Sequence, residues 1–215
     1  MRCIIMANGA YGDLASYRDL VLPGDILLCA DGGSNYAFEL GLLPDLIIGD
    51  LDSIRPEIED NYRRRGVKFC PFPSRKDSTD FQLCLDKARE MQADQVLVLG
   101  SMGKRLDHTL ANLYAGIGLV RGGCLISHFS PECRVHITSQ DMIIEGRPGD
   151  LVSVLALTEE ATGVTEQGFE YTPVNPRLEL ARPYAVSNVM TGDCGKITVQ
   201  AGILAVFHYP ADART

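Results

Sequence analysis

The stretch DGGSNYAFELGLLPDLIIGDLDSI, residues 31–54, decides the fold, because each of its acidic turns follows a short run of β-forming residues. Asp31 comes directly after the predicted strand Ile26–Ala30. The turn GDLDS, residues 49–53, comes directly after the predicted strand Leu46–Ile48. A buried strand that ends in acidic residues is typical of an α/β protein with a ligand site at one edge of its sheet.

From residue 1 to about residue 128, short β-rich runs alternate with helical patterns, which predicts a parallel-sheet α/β domain. The remaining predicted strands of this part are Cys3–Ala7, Val67–Phe69, Val96–Leu99 and Cys124–His128. Apolar residues at spacings of three and four predict one helix from Phe81 to Met91, and a second should run from about Leu106 to Val120.

After Ser130 the helical period disappears, and short strands separated by Gly and Pro predict a small all-β sandwich. We therefore expect two domains, residues 1–129 and residues 130–215. The Pro-containing segment Phe169–Pro183 predicts a loop with at most an edge strand. The strands predicted for the second domain are Val135–Thr138, Met142–Ile144, Leu151–Leu157, Lys196–Gln200 and Ile203–Tyr209.

The composition indicates a globular protein and argues against two classes of partner. The formal net charge of −8 argues against nucleic-acid binding, which needs clustered Lys and Arg. No stretch approaches the roughly 18 consecutive apolar residues of a membrane span, so we expect no membrane association. The seven cysteines include no C-x-x-C pair and lie mostly in apolar segments, which favours free thiols and a cytoplasmic location.

The positions of the aspartates indicate a metal site. Six of them follow predicted strands or precede predicted helices, so they should gather at the carboxyl edge of the sheet: Asp31, Asp50, Asp52, Asp77, Asp80 and Asp107. Such a cluster repels itself unless a cation is bound, and hard oxygen ligands suit Mg²⁺. In an extended GDLDS, Asp50 and Asp52 would face the same side and one ion, although a solvated turn would show the same pattern.

Two further motifs each have a structural and a functional interpretation. In KDSTD, Ser78 or Thr79 could simply cap the following helix, or Asp77 and Asp80 could also hold metal while Lys76 faces phosphate. In GSMGKRLDH, residues 100–108, the glycines could form an ordinary tight turn or let backbone amides approach phosphate. The spacing is not that of a Walker A loop.

The order of these motifs along the chain resembles that of a known protein family. DGGSNYAFELGLLPDLIIGDLDSI, KDSTDFQLCLDKA, GSMGKRLDHTLANL and the late GFEY and VSN together resemble the thiamine pyrophosphokinase family, over nearly the whole chain. The family pattern departs at Ser101 and Lys104, where glycines are usual, and in the Pro-rich segment 171–186. The resemblance implies an ATP-binding α/β domain followed by a β-sandwich that binds thiamine. It also implies a homodimer with shared active sites.

The resemblance implies the following roles. Asp50, Asp52, Asp77 and Asp80 would bind Mg²⁺ and act in catalysis together with Arg105, Asp107 and His108. The ATP site would contain Asp31, Gly32, Gly33, Lys76, Gly100, Gly103 and Asn112, and the thiamine site Tyr171, Ser187 and Asn188. ATP would be the co-substrate, and AMP and thiamine diphosphate the products. Two alternatives stay open, a diphosphokinase for another heterocyclic alcohol and a non-catalytic nucleotide or thiamine sensor.

Overall fold

The computed structural model describes residues 1–73, 77–103, 105–172 and 177–214. The chain forms two compact units. The first contains Met1–Ala115 with His128–Ser130, and the second contains Gly116–Ser127 with Pro131–Thr215. The change from alternating strands and helices to mostly strands follows the change of period in the sequence.

Five strands of the first unit pair in the order β5, β1, β2, β3, β4, and each of these pairs is parallel. They are β1 (Arg2–Met6), β2 (Ile26–Ala30), β3 (Leu46–Gly49), β4 (Lys68–Pro71) and β5 (Gln95–Leu99). Parallel strands need long crossovers. An α-helix follows each of β2, β3, β4 and β5, and the connection after β1 contains a short 3₁₀ helix, Leu14–Tyr17. The helices are α1 (Gly33–Glu39), α2 (Pro56–Arg64), α3 (Asp80–Glu90) and α4 (Leu106–Ala115).

Local sequence signals explain where α2 and α3 begin. Pro56 lies in the first turn of α2, where its missing N–H is not needed, and acidic residues follow it. The side chain of Thr79 accepts a hydrogen bond from the Gln82 N–H at 3.1 Å, so Thr79, one of the two caps that the sequence allowed, caps α3. The cap makes Asp80 the first residue of α3.

The predicted helix from Leu106 to Val120 is wrong in one respect, because it is broken at Gly116 into α4 and a short helix α5 (Ile117–Arg121). A Cβ atom at Gly116 would lie 2.7 Å from the Ile126 Cδ1 atom. Any larger residue would need the end of the Ile126 side chain to shift, and glycine weakens a helix.

The second unit consists mainly of antiparallel strands. Strands β13, β9, β15 and β7 pair in this order, and β11, β14 and β8 form a three-stranded sheet. The strands that follow α5 are β6 (Leu125–Phe129), β7 (Arg134–Thr138), β8 (Met142–Glu145), β9 (Leu151–Ala156), β10 (Glu160–Ala161), β11 (Thr165–Gln167), β12 (Leu178–Glu179), β13 (Asn188–Val189), β14 (Cys194–Thr198) and β15 (Leu204–Tyr209). The Pro-containing segment holds only the two-residue β12 among its described residues.

The expectation of a purely parallel sheet requires a correction. The largest sheet has ten strands and is mixed, because it contains antiparallel pairs, such as β7 with β15 and β9 with β15, beside the parallel ones. The architecture is therefore α/β with a large mixed sheet and a second β domain.

Each unit has its own apolar core. In the first unit Ile4, Ile47 and Leu99 from the strands pack with Ile58 and Tyr62 from α2. In the second unit one cluster contains Val152 and Val206 from one sheet and Ile144 and Ile197 from the other. Apolar residues of two antiparallel sheets thus share one core, which buries the inner faces of both.

All seven cysteines are free thiols. Among the residues that the structure describes, none of the helices has the length and apolar character needed to cross a bilayer.

The histidine of β7 predicts acid sensitivity of the fold. Burial lowers the pKa of His136 to about 4, with further lowering by Arg134 and His208. The neutral ring therefore contributes stability above the ordinary pKa of 6.5, and this is lost as the pH falls from there toward 4. We expect wild-type protein to lose about 2 kcal/mol more unfolding free energy between pH 7 and pH 5 than His136→Gln does. Urea unfolding at both pH values measures this, and equal losses would contradict it.

Candidate functional site

A cleft of about 860 Å³ lies in the first unit, where the turns after four strands meet. The turns after β1, β2, β3 and β5 line it, together with the first turns of α3 and α4. Its walls include Asn8, Gly9, Asp31, Asp50, Asp52, Asp80, Gly100, Gly103, Arg105, Asp107, His108 and Asn112. The carboxyl edge of these strands is thus the concave face, as expected for an open α/β sheet.

Three carboxylates converge in this cleft. One oxygen of each of Asp31, Asp50 and Asp52 lies within 4.8 Å of the others. The chain between the last two is not extended as the sequence suggested, because Leu51 has a φ of 66°. This left-handed residue bends the chain, yet both acids still reach one point, and Asp31 joins them from the turn after β2 with its own positive φ of 43°.

The environment of Asp31 disfavours its charged form mainly through burial, with a smaller contribution from the nearby Asp80. Its side chain is 5% exposed. Burial raises its pKa, hydrogen bonds involving Ser53 and Gly32 lower it, and the nearby Asp80 raises it again. The Ser53 N–H donates to Asp31 Oδ1 at 3.4 Å. A bound cation would reduce the repulsion between these carboxylates. Carboxylate oxygens as the only protein ligands favour Mg²⁺ over softer metal ions.

Gly49 lets Asp80 approach this cluster. A Cβ atom at Gly49 would lie 2.8 Å from Asp31 Cβ and 3.0 Å from Asp80 Cγ, and its φ is 151°. Sequence reasoning missed this glycine, although it directly precedes Asp50. Asp77 is exposed and is not among the residues that line the cleft. Lys76 lies outside the described residues.

Glycines also bring backbones together around the cleft. A Cβ atom at Gly9 would lie 2.0 Å from the Gly100 carbonyl oxygen, so the turns after β1 and β5 touch. At Gly33 it would lie 2.1 Å from the Met6 carbonyl oxygen, and at Gly32 it would meet the Asn8 side chain. Sequence reasoning missed Asn8 and Gly9, although an Asn-Gly pair one residue after β1 was the available signal.

The turn after β5 is held by side chains. The amide of Asn112 donates to the Ser101 carbonyl oxygen at 2.8 Å, and Ser101 Oγ lies 2.7 Å from His128 Nδ1. Both Ser101 and His128 are buried. These contacts fix Ser101, which lies at a position where the sequence departs from the family pattern. The side chain of Asn112 therefore stabilises the turn after β5. The N–H of Gly103 donates to Thr109 Oγ1 at 3.3 Å.

Arg105 and Asp107 form an exposed ion pair. Arg105 Nε donates to Asp107 Oδ1 at 3.1 Å, and a second hydrogen bond joins Arg105 Nη2 to Asp107 Oδ2. The hydrogen bond from Arg105 lowers the pKa of Asp107 to about 2. Asp107 is therefore a carboxylate with little tendency to accept a proton. The exposed His108 follows it and lines the cleft.

The residues expected to contact thiamine all belong to the second unit. Tyr171 is 56% exposed, whereas Asn188 is only 7% exposed. Ser187 is exposed, has a φ of 59° and donates its N–H to Ser153 Oγ at 2.9 Å. A serine in the left-handed region is uncommon and often marks a functional position.

The family models cover both parts of the chain. The model described as "Thiamin pyrophosphokinase, catalytic domain" matches residues 17–124. The model described as "Thiamin pyrophosphokinase, vitamin B1 binding domain" matches residues 129–204.

The chain is also similar to curated proteins and to a solved structure. The thiamine pyrophosphokinase of Bacillus subtilis (strain 168) is 29% identical over 205 residues, which cover 89% of each chain. Thiamine pyrophosphokinase 2 of Oryza sativa subsp. japonica is 28% identical over 202 residues, covering 81% of this chain and 73% of that protein. The crystal structure of the Bacillus subtilis enzyme has a TM-score of 0.85 and 24% identity, covering 98% of this chain and 99% of its own. At that identity the structural likeness shows the fold alone.

Proposed function

Since the chain belongs to the thiamine pyrophosphokinase family, we propose that it transfers a diphosphate group from ATP to thiamine, giving thiamine diphosphate and AMP. The match of both family models carries this proposal, and the acidic cleft supports it. A bond forms between the hydroxyl oxygen of thiamine and the β-phosphorus of ATP. The bond from that phosphorus to the oxygen bridging to the α-phosphorus breaks, and AMP leaves with the bridging oxygen.

The cleft of the first unit is the proposed ATP site. Its volume of about 860 Å³ falls within the usual range for small-ligand sites. Gly100 and Gly103 line the cleft, and we assign to them backbone contacts with phosphate. Asp31 also lines it, whereas Gly32 and Gly33 are not among its lining residues and stay in the ATP site as predictions from the sequence. The exposed Arg105 would bind phosphate, and Lys76 remains a candidate from the sequence. We propose residues 1–129 as the catalytic domain and residues 130–215 as the thiamine-binding domain.

The residues at the cleft fit a magnesium ion. Asp31, Asp50 and Asp52 would hold it, with Asp80 beside them, and Asp77 is retained from the sequence as a further ligand. Bound Mg²⁺ would neutralise and orient the phosphate oxygens of ATP. The convergence of these carboxylates supports the assignment, because a cation between like charges reduces their repulsion.

The protein's part in catalysis is chiefly to position the substrates and stabilise charge. Arg105 supplies positive charge, and Asp107 holds the Arg105 guanidinium through two hydrogen bonds. Because its pKa is near 2, Asp107 is a poor acceptor for the hydroxyl proton of thiamine. We propose that Asp80, which lines the cleft, accepts this proton in preference to the exposed Asp77, while His108 contacts phosphate.

In the second unit we propose that Tyr171 and Ser187 contact thiamine. The exposed ring of Tyr171 offers a face to the cationic thiazolium, a contact worth about 0.5 to 2 kcal/mol. Asn188 belongs to the same site, but its side chain is engaged within the unit. With seven free thiols, a reducing cytoplasmic location is also part of the proposal.

Product analysis tests the proposed reaction. Purified protein is incubated with ATP, Mg²⁺ and either thiamine or a panel of other heterocyclic alcohols, and the nucleotide and vitamin products are separated. We expect AMP and thiamine diphosphate in equal amounts, with thiamine turned over faster than the other alcohols. Formation of ADP and thiamine monophosphate would contradict the proposal, as would preference for another alcohol. Binding of thiamine without turnover would instead indicate a sensor.

We also propose a homodimer in which Tyr171 and Ser187 of one chain serve the cleft of its partner. Sedimentation should then give twice the chain mass of 23.5 kDa. Mixing Asp52→Ala chains with Tyr171→Ala, Ser187→Ala double-variant chains under subunit exchange should restore activity, since some mixed dimers keep one intact site. A monomer mass, or continued inactivity of verified mixed dimers, would show that each site is built within one chain.

A further inference from the structure

Glu166 is a buried acid that the proposed reaction does not use. It lies on β11 opposite Ile197 of β14, and its side chain is 1% exposed. A carboxyl group at such a position is costly to bury, because the apolar cluster of the second unit surrounds this part of the sheet. Among the described residues, none donates a hydrogen bond to Glu166 Oε1. Burial raises the pKa of this carboxyl, and the hydrogen bond from Asn188 lowers it.

The other oxygen of Glu166 accepts a hydrogen bond from Asn188 Nδ2 at 2.8 Å. The orientation of the Asn188 amide is determined by its neighbours. The N–H groups of Tyr171 and Val189 both point at Asn188 Oδ1, at 3.0 and 3.1 Å, and an N–H group needs an acceptor. The NH₂ group must therefore lie on the side of Glu166.

The Asn188 amide holds the main chain of Tyr171 at two points. Besides accepting from the Tyr171 N–H, it donates from Nδ2 to the Tyr171 carbonyl oxygen at 2.6 Å. The preceding residue, Glu170, is held by a backbone hydrogen bond to the Val189 carbonyl oxygen at 2.9 Å. At Tyr171 the Asn188 side chain thus replaces a strand partner, and both of its N–H bonds are used.

We infer that Glu166 is a positioning residue of the thiamine site, which fixes the Asn188 amide so that Asn188 can hold the main chain from which the Tyr171 ring projects. This inference rests on the proposed function for its link to thiamine, but the contacts that carry it are independent of any substrate. Without the Glu166 oxygen, one N–H of a buried amide loses its partner, and the amide is held by three hydrogen bonds in place of four.

The experiment compares Glu166→Leu and Glu166→Gln with Glu170→Gln, which removes the same charge from an exposed neighbour four residues away. Amide hydrogen exchange at Tyr171 is measured by NMR, with the buried Val206 of β15 as internal reference. The KM values for thiamine and ATP are measured in parallel. Tyr171→Ala shows how far the thiamine KM moves when the ring is absent.

We expect Glu166→Leu to accelerate exchange at Tyr171 relative to Val206 by about tenfold and to raise the thiamine KM by a similar factor, as for one lost buried hydrogen bond. The ATP KM should stay near its wild-type value. Glu166→Gln keeps an acceptor oxygen and should show smaller changes in the same direction, whereas Glu170→Gln should show neither.

Unchanged exchange at Tyr171 in Glu166→Leu would overturn the inference, and so would an equal rise of both KM values. If Glu166→Leu does not fold, the comparison of Glu166→Gln with Glu170→Gln decides, and identical behaviour of these two would overturn it. If wild-type protein forms no thiamine diphosphate, the proposed function fails, while the exchange data still test the contact through Asn188.

Discussion

Asp52→Ala is expected to lower kcat by about 10² to 10³-fold while leaving the fold intact, as for the loss of one charged group that stabilises the transition state. The side chain is exposed and accepts a hydrogen bond from Ser53 Oγ at 3.0 Å, so its removal leaves no buried group without a partner. Asp52 supplies one of the three carboxylates that converge in the cleft. Steady-state turnover at saturating ATP and thiamine measures the effect, and thermal unfolding checks the fold.

The matched control is Asp60→Ala, which removes an exposed acid from α2 outside the cleft. Loss of net negative charge is the same in both variants, so a general electrostatic effect would change them equally. The Asp52→Ala protein should also need a higher Mg²⁺ concentration for half-maximal activity. Turnover equal to that of Asp60→Ala, with no change in Mg²⁺ dependence, would remove Asp52 from the metal site.

The sequence predicted where the acids of the cleft lie, because the signal is local. Runs such as Ile26–Ala30 and Leu46–Ile48 are β-forming and apolar, and the acids that follow them are brought to one edge by parallel pairing. The Thr79 cap was likewise predictable from the order of residues around it. The apolar strand runs and the cap depend only on neighbours in the chain, and parallel pairing then sets the edge at which the acids lie.

The detailed geometry of the acids was not predictable, because it depends on contacts between distant residues. The pattern D-x-D suggested an extended chain, but Leu51 adopts a positive φ and Asp31 completes the cluster from another turn. Nothing in the local sequence distinguishes Asp31 from an ordinary turn aspartate. Its role becomes visible only when the turns after β2 and β3 are placed side by side.

In the second unit, too, the burial and hydrogen bonds of the candidate site residues could not be predicted from the sequence. The resemblance implied that Ser187 and Asn188 both lie near thiamine, which stays a prediction. The structure exposes Ser187 and buries Asn188. The backbone N–H groups of Tyr171 and Val189 both donate to the Asn188 oxygen. Asn188 and Glu166, which its NH₂ group contacts, are 22 residues apart in the sequence. Hydrogen-bond networks of this kind specify one arrangement of a core without leaving a periodic signal.

Gly49→Ala should have the second large effect, because the added methyl group would occupy space that the acids need. The Cβ atom would lie 2.8 Å from Asp31 Cβ and 3.0 Å from Asp80 Cγ, and the φ of 151° is unfavourable for any residue with a side chain. We expect the unfolding free energy to fall by about 2 to 4 kcal/mol from strain and overpacking. Displacement of two acids should also reduce turnover by about 10²-fold. Urea unfolding and steady-state kinetics measure the two effects.

Gly41→Ala separates the steric effect from backbone strain alone. Gly41 also has a positive φ, 73°, but an added Cβ would meet no atom within 4 Å. This variant should lose about 1 kcal/mol of unfolding free energy, because alanine is strained in the left-handed region. It should keep its turnover, because Gly41 is not among the residues that line the cleft. If Gly49→Ala also keeps its turnover, the close approach of Asp31 and Asp80 at Gly49 is not needed for the reaction. If it loses turnover while Gly41→Ala does not, the glycine before Asp50 is required because it leaves room for the acids on both sides.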